Sequence, residues 1–142
     1  MLNQPRSMRD QKLHDDSILF LAEELVKRGY NVLADHGSWP LSNQPIAING
    51  YKPDIIAMNS FERCIYEVET SKSYQSRYTV NQLVSFNMKG KEDFTTYLVL
   101  TGSEYKLLVG GHFLKAQTIT RNMEYVRVAH LDLARSEYQV FT

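Results

Sequence analysis

The chain has 142 residues, 43% of them hydrophobic and 23% charged, which suits one soluble globular domain with a single sizeable core. Sixteen basic and sixteen acidic residues leave a formal net charge of zero, excluding a bulk pull toward nucleic acid or an anionic membrane, so any polyanion has to be gripped by a local patch. No run is long enough to span a bilayer, residues 1–16 lack the apolar core of a secretory signal, and the single cysteine excludes an internal disulfide and fits a reducing cytosol.

In chain order, residues 1–9 are polar and expected to be frayed, within a single domain spanning 1–142. Asp10 is expected to cap a helix that runs to about Arg28 and ends at Gly29. Its apolar stripe is Ile18, Leu21, Ala22 and Leu25, broadened by Leu19, Phe20 and Val26, with His14 one turn earlier on the same stripe. A first strand is expected over 30–34. From His36 to Tyr51, repeated Gly, Pro and Asn predict a loop or an irregular hairpin.

The stretch 52–74 then gives two apolar strands joined by Asn59-Ser60-Phe61-Glu62, and outside that turn it carries three carboxylates, Asp54, Glu67 and Glu69. With the turn centred on Ser60-Phe61, paired residues have numbers summing to a constant, which sets Asp54 opposite Glu67 with Cβ atoms roughly 5 Å apart. Ile65, Glu67 and Glu69 share one face of their strand, while Cys64, Tyr66, Val68 and Thr70 share the other. Two facing carboxylates repel unless a proton or cation lies between them, and oxygen ligands suit a hard divalent ion. The competing reading is the wet face of a half-exposed hairpin. Apolar residues on both faces of the first strand argue instead for an interior strand.

Beyond a polar link, a helix is expected over 77–89, closed by Gly90, with Val80, Leu83, Val84 and Met88 turned inward. A buried strand (95–101), a Gly110-Gly111 turn, a short helix (112–121) and a last strand (123–129) follow, and the tail is ambiguous. The link through helix 77–89 is long enough for a crossover between parallel strands.

This order, with Pro53-Asp54 and then Glu67-Val68-Glu69, resembles the PD-(D/E)xK superfamily of nucleases, to which restriction endonucleases and archaeal Holliday-junction resolvases belong. The resemblance spans roughly residues 13–100. It implies an α/β fold with a central mixed four- or five-stranded sheet flanked by helices. It also implies Mg2+-dependent endonucleolytic cleavage of DNA, with Mn2+ as a substitute. Asp54 and Glu67 would be metal ligands, aided by the carbonyl of Val68, and Glu69 would orient or deprotonate the attacking water.

Glu69 stands where most members carry lysine, as in the Glu-x-Glu variants of the superfamily. That removes a cation, for which Lys72 is the candidate replacement as a fourth catalytic residue. His14 is a further candidate ligand, weighed against an ordinary core histidine. Gln82, in a sequence similar to the Gln-x-x-x-Tyr helix of RecB-like nucleases, is a candidate substrate contact together with Ser71, Tyr74 and Arg77. Such donors and cations grip phosphates without reading sequence. A homodimer would allow both strands to be cut. The alternative function is a catalytically impaired DNA-binding or regulatory module on the same fold, suggested by the missing lysine.

Overall fold

The computed structural model describes residues 6–141. The first helix, α1 (Met8–Lys27), begins earlier than expected because Ser7, not Asp10, is its cap: the Ser7 hydroxyl accepts from the Asp10 N–H at 3.1 Å. Asp10 lies instead in the first turn, where the helix dipole favours a carboxylate. Ile18, Leu21, Ala22 and Leu25 are buried as the periodicity requires, whereas Val26 is exposed.

Six strands form one sheet in sequential order: β1 (Asn31–Ala34), β2 (Ile55–Met58), β3 (Arg63–Glu69), β4 (Phe94–Thr101), β5 (Val126–Asp132) and β6 (Glu137–Val140). The sheet is mixed, with β3, β4 and β5 parallel and the other neighbours antiparallel. The expected four or five strands become six because the ambiguous tail turns back. Asp132 caps a short helical turn, Ser136 takes a left-handed conformation at φ 52°, and β6 pairs with β5. Three further helices lie in the crossovers: α2 (Arg77–Asn87) between β3 and β4, and α3 (Glu104–Val109) and α4 (His112–Thr120) between β4 and β5. Of these, α3 is additional to the elements expected from the sequence. Its cap is Ser103, whose hydroxyl accepts from the Lys106 N–H at 3.1 Å.

The sheet separates two cores. On one face α1 packs on Ile55, Ala57, Cys64, Tyr66, Val68, Val99 and Leu131. On the other, Leu83 of α2, Leu107 of α3 and Phe113 and Ala116 of α4 cover Leu98, Leu100, Val126 and Val128. Strand β2 is interior, between β1 and β3, as its two apolar faces require. Cys64 is a packing residue at 1% exposure, its thiol pushed up to about 11 chiefly by burial. Among the described residues no helix is long and apolar enough to cross a membrane.

Helix α2 is rotated from the expected orientation. Thr79, Gln82, Leu83, Ser85 and Phe86 face inward, while Val84 and Met88 are 46% and 64% exposed. Gly90 does not close the helix as a cap either. The chain passes through a short helical turn, Met88–Glu92, and it is Asp93 that takes the left-handed conformation. Gly90 is needed for close approach: a Cβ there would lie 1.9 Å from the ring of Tyr125, whose N–H is held by the Asn87 side chain at 2.8 Å. Gly90→Ala should therefore destabilise the fold by about 1–3 kcal/mol through overpacking. Chemical denaturation measures this, and Tyr125→Ala in the same chain should remove most of the penalty.

Candidate active site

The hairpin register is the one the turn implied, with Ile55 opposite Tyr66 and Ile56 opposite Ile65. One step further, Asp54 meets Glu67, and the two residues interlock through the backbone. The Glu67 carboxylate accepts from the Asp54 N–H at 3.0 Å, and the Asp54 carboxylate accepts from the Val68 N–H at 2.8 Å. Asp54 has thus left the simple alternation of its strand and serves the N–H that a longer β2 would have paired. Its own carbonyl accepts from the Asp35 N–H at 2.8 Å, which ties β1 to the same point.

Two helix N-termini close on this strand end. From α1, His14 Nε2 lies 3.4 Å from Asp54 Oδ2, and its Nδ1 lies 3.1 Å from Asp15 Oδ1. Asp10 accepts from the Thr70 hydroxyl at 3.3 Å, fixing the start of α1 over the end of β3. From the other face, Thr79 in the first turn of α2 donates to Glu69 Oε1 at 2.8 Å, and Ser73 donates to Glu69 Oε2 at 2.6 Å. A third donor comes from the segment before α1: Arg6 Nη2 reaches Glu69 Oε2 at 3.1 Å.

Asp54, Glu67, Glu69 and His14 are therefore brought together, all buried. Of the other candidates, Lys72 and Arg77 are exposed. Tyr74 is fully buried but turned away, its hydroxyl 2.9 Å from His112 Nδ1 and accepting from Gln75 at 3.0 Å. Gln82 is buried on the α2 face that also carries Thr79. Ser71 lines a cavity of about 340 Å3 at the carboxyl ends of β3 and β4, together with Asp10, Thr70, Gly102, Lys106 and His112. A larger cavity, of about 560 Å3, lies at the opposite end of β3 beside the 59–62 turn; neither cavity is lined by Asp54, Glu67 or Glu69. The smaller one adjoins Thr70, next to Glu69, and lies beyond the carboxyl ends of the strands, where ligands of parallel sheets bind.

Arg6, Ser73 and Thr79 belong to the acid cluster without any signal in the sequence to place them there. Ser73 and Thr79 carry no pattern that distinguishes them from turn and capping residues. Arg6 falls in a polar segment with no periodicity.

Glu67 and Glu69 hold protons more tightly than free carboxyls. Glu67 is pushed well above the usual range by burial first, then by the charges of Asp54 and Glu69, against the Asp54 N–H and Arg6. Glu69 is raised too: burial and Asp54 push it up, while Ser73, Thr79 and Arg6 pull it down. Burial alone would lower His14, but its hydrogen bond and attraction to Asp54 outweigh that, with Asp15 adding to them, and its value ends above 6.5.

Among the described residues no three His, Cys, Asp or Glu side chains are gathered into a cage that could hold a metal ion. Magnesium needs fewer: it keeps several waters and takes one or two carboxylates together with substrate phosphates. Asp54 and Glu67 are two carboxylates joined through each other's backbone, and such a pair would meet that need.

A mixed α/β sheet with acids at the open end of its β2–β3 hairpin is consistent with a restriction-endonuclease-like protein. The chain belongs to the REase_AHJR-like family, of the PD-(D/E)xK type, whose family model matches residues 6–130. That membership points to a nuclease. No match was found among curated proteins or among solved structures.

Burial of these groups has a consequence for stability. A carboxyl raised on folding, as Glu67 is, penalises the folded state increasingly as pH rises above the ordinary value of 4.5. Glu69 acts in the same sense. His14, raised above 6.5, contributes stability that is present below that value and lost as pH climbs through its folded-state value. In metal-free buffer the melting temperature should therefore fall between about pH 5 and about pH 8. Glu67→Gln should flatten that slope and raise the melting temperature at the alkaline end, as thermal melts across pH will show.

Proposed function

We propose that the protein is a divalent-metal-dependent endonuclease hydrolysing DNA phosphodiester bonds, using Mg2+ or, in its place, Mn2+. The observation that carries this reading is the interlock of Asp54 and Glu67 at the end of β2 and β3, with a third buried acid, Glu69, behind it. Acids so placed concentrate negative charge where a hard cation and a phosphate can share it. The fold would act as a single domain, and as a homodimer where both strands of a duplex are cut.

In this reading Asp54 and Glu67 hold the ion. It would polarise the scissile phosphate, lower the pKa of a bound water and offset charge developing in the transition state. The chain's own residues position the rest. His14, hydrogen-bonded to Asp54, fixes that carboxylate's orientation from α1. Glu69 has both oxygens occupied by three donors, so its part is to hold Arg6, Ser73 and Thr79 beside the cluster rather than to remove a proton from the water. Water oxygen would bond to phosphorus as the P–O bond to the leaving oxygen breaks, the attacking water giving its proton to solvent and the leaving oxygen taking one from solvent, so that a terminal phosphate and a hydroxyl result. Ser71, Lys106 and His112 line the neighbouring cavity and offer donors to the phosphates on either side.

A second reading, a DNA-binding or regulatory module without activity, is favoured by one observation: glutamate stands at the motif lysine's position and Lys72 is exposed rather than drawn back to the acids. Nicking of supercoiled plasmid decides between them. The wild type should nick with Mg2+ or Mn2+, and Asp54→Asn and Glu67→Gln should each lose about 10²-fold or more while still melting cooperatively. Duplex binding that persists in EDTA, with no cleavage in either metal, would establish the module instead.

A further inference from the structure

We propose that Arg6, from the segment preceding α1, supplies the positive charge that the motif lysine provides elsewhere, and directs it at the scissile phosphate. The inference rests on the nuclease reading and concerns the one component that reading lacks. Glu69 occupies the lysine's position, which leaves the acid cluster without a cation from β3. Lys72, the nearest lysine along the chain, is exposed. The guanidinium of Arg6 instead lies 3.1 Å from Glu69 Oε2, with its side chain 17% exposed and that of Glu69 3% exposed.

The local structure explains how a residue so far away in sequence comes to be there. Ser7 caps α1 and turns the chain, while the Asp10 contact to Thr70 anchors that turn over the end of β3. Arg6, one residue before the cap, is thereby delivered onto Glu69. Its charge pulls the proton affinities of His14, Glu67 and Glu69 down together, so it acts on the whole cluster and not on its ion-pair partner alone.

A guanidinium has five donors in a fixed fork. One is given to Glu69, and Arg6 Nε is buried without a partner among the described residues. A buried donor left unpaired is costly, and a fork held by one carboxylate keeps capacity for a second anion. A phosphate oxygen arriving between the acids would meet that capacity at partial exposure. Glu69 thus replaces the lysine in sequence while holding its substitute in space. A negative residue at that position becomes an asset, because a lysine there would repel Arg6.

The test compares Arg6→Gln and Arg6→Lys with the wild type, using DNA cleavage in Mg2+, Mn2+ affinity of the DNA-free protein by electron paramagnetic resonance, and thermal melting. Arg6→Gln should lower kcat by about 10²–10³-fold, the loss typical when one preorganised donor to transition-state charge is removed. Arg6→Lys should recover most of that loss. Mn2+ binding to Arg6→Gln should be unchanged or tighter, since a nearby positive charge is gone. If Arg6→Gln cleaves like the wild type, or if its loss of cleavage is matched by weakened Mn2+ binding and a lower melting temperature, Arg6 is a structural counter-ion and the inference is overturned. A wild type that binds no Mn2+ and cuts no DNA overturns the nuclease reading, and the role of Arg6 with it. An active wild type beside an equally active Arg6→Gln overturns the role of Arg6 alone.

Discussion

Everything around the candidate site depends on how β2 ends. A strand that stops beside a longer neighbour leaves backbone N–H groups without partners, and in a buried place each must be satisfied. Here the Val68 N–H is taken by the carboxylate of Asp54, and the Asp54 N–H by the carboxylate of Glu67. The two acids are thus fixed by the same bonds that finish the hairpin. Neither can rotate freely without leaving a buried N–H unpaired, so the sheet itself sets the position of the charge.

That arrangement has an electrostatic cost, which the surrounding elements reduce from both sides of the sheet. Helix α1 brings His14 to Asp54, and the residue before its cap, Arg6, reaches Glu69. Helix α2 brings Thr79, and the loop leading to it brings Ser73. Both helices approach with their N-terminal turns, where unpaired N–H groups and the helix dipole favour negative charge. The offset is incomplete, because Glu67 and Glu69 still hold their protons more tightly than free carboxyls. Strain of this kind is characteristic of sites that take a cation or a reacting anion.

Much of the frame is legible in the sequence because it rests on local rules. The pairing of Asp54 with Glu67 follows from the turn at Ser60-Phe61, since register in a short hairpin is fixed by its loop. The parallel pairing of β3 with β4 follows from the length of the link between them. What escapes depends on tertiary context. Strand β6 is short and mostly exposed, so it carries little hydrophobic pattern, and only the turn at Ser136 brings it back to β5. The orientation of α2 differs from the periodicity because Thr79, bonded to Glu69, and Gln82 are buried as polar residues, which a search for apolar spacing passes over. Gly90 has the look of a helix stop, whereas a distant ring determines it.

The same distinction explains why the acids can be found from the sequence and their counter-charges cannot. Asp54, Glu67 and Glu69 lie on adjacent strands within one short stretch, where alternation and register suffice to bring them together. Arg6 and Glu69 are 63 residues apart, and their contact is created only when α1 is laid across the end of β3. Position along the chain conserves geometry only within an element; between elements it is the packing of helix on sheet that decides which charges meet. A short motif fixes the acids of such a site through the backbone that carries them, while the balancing cation can come from any segment that the fold delivers to the same point.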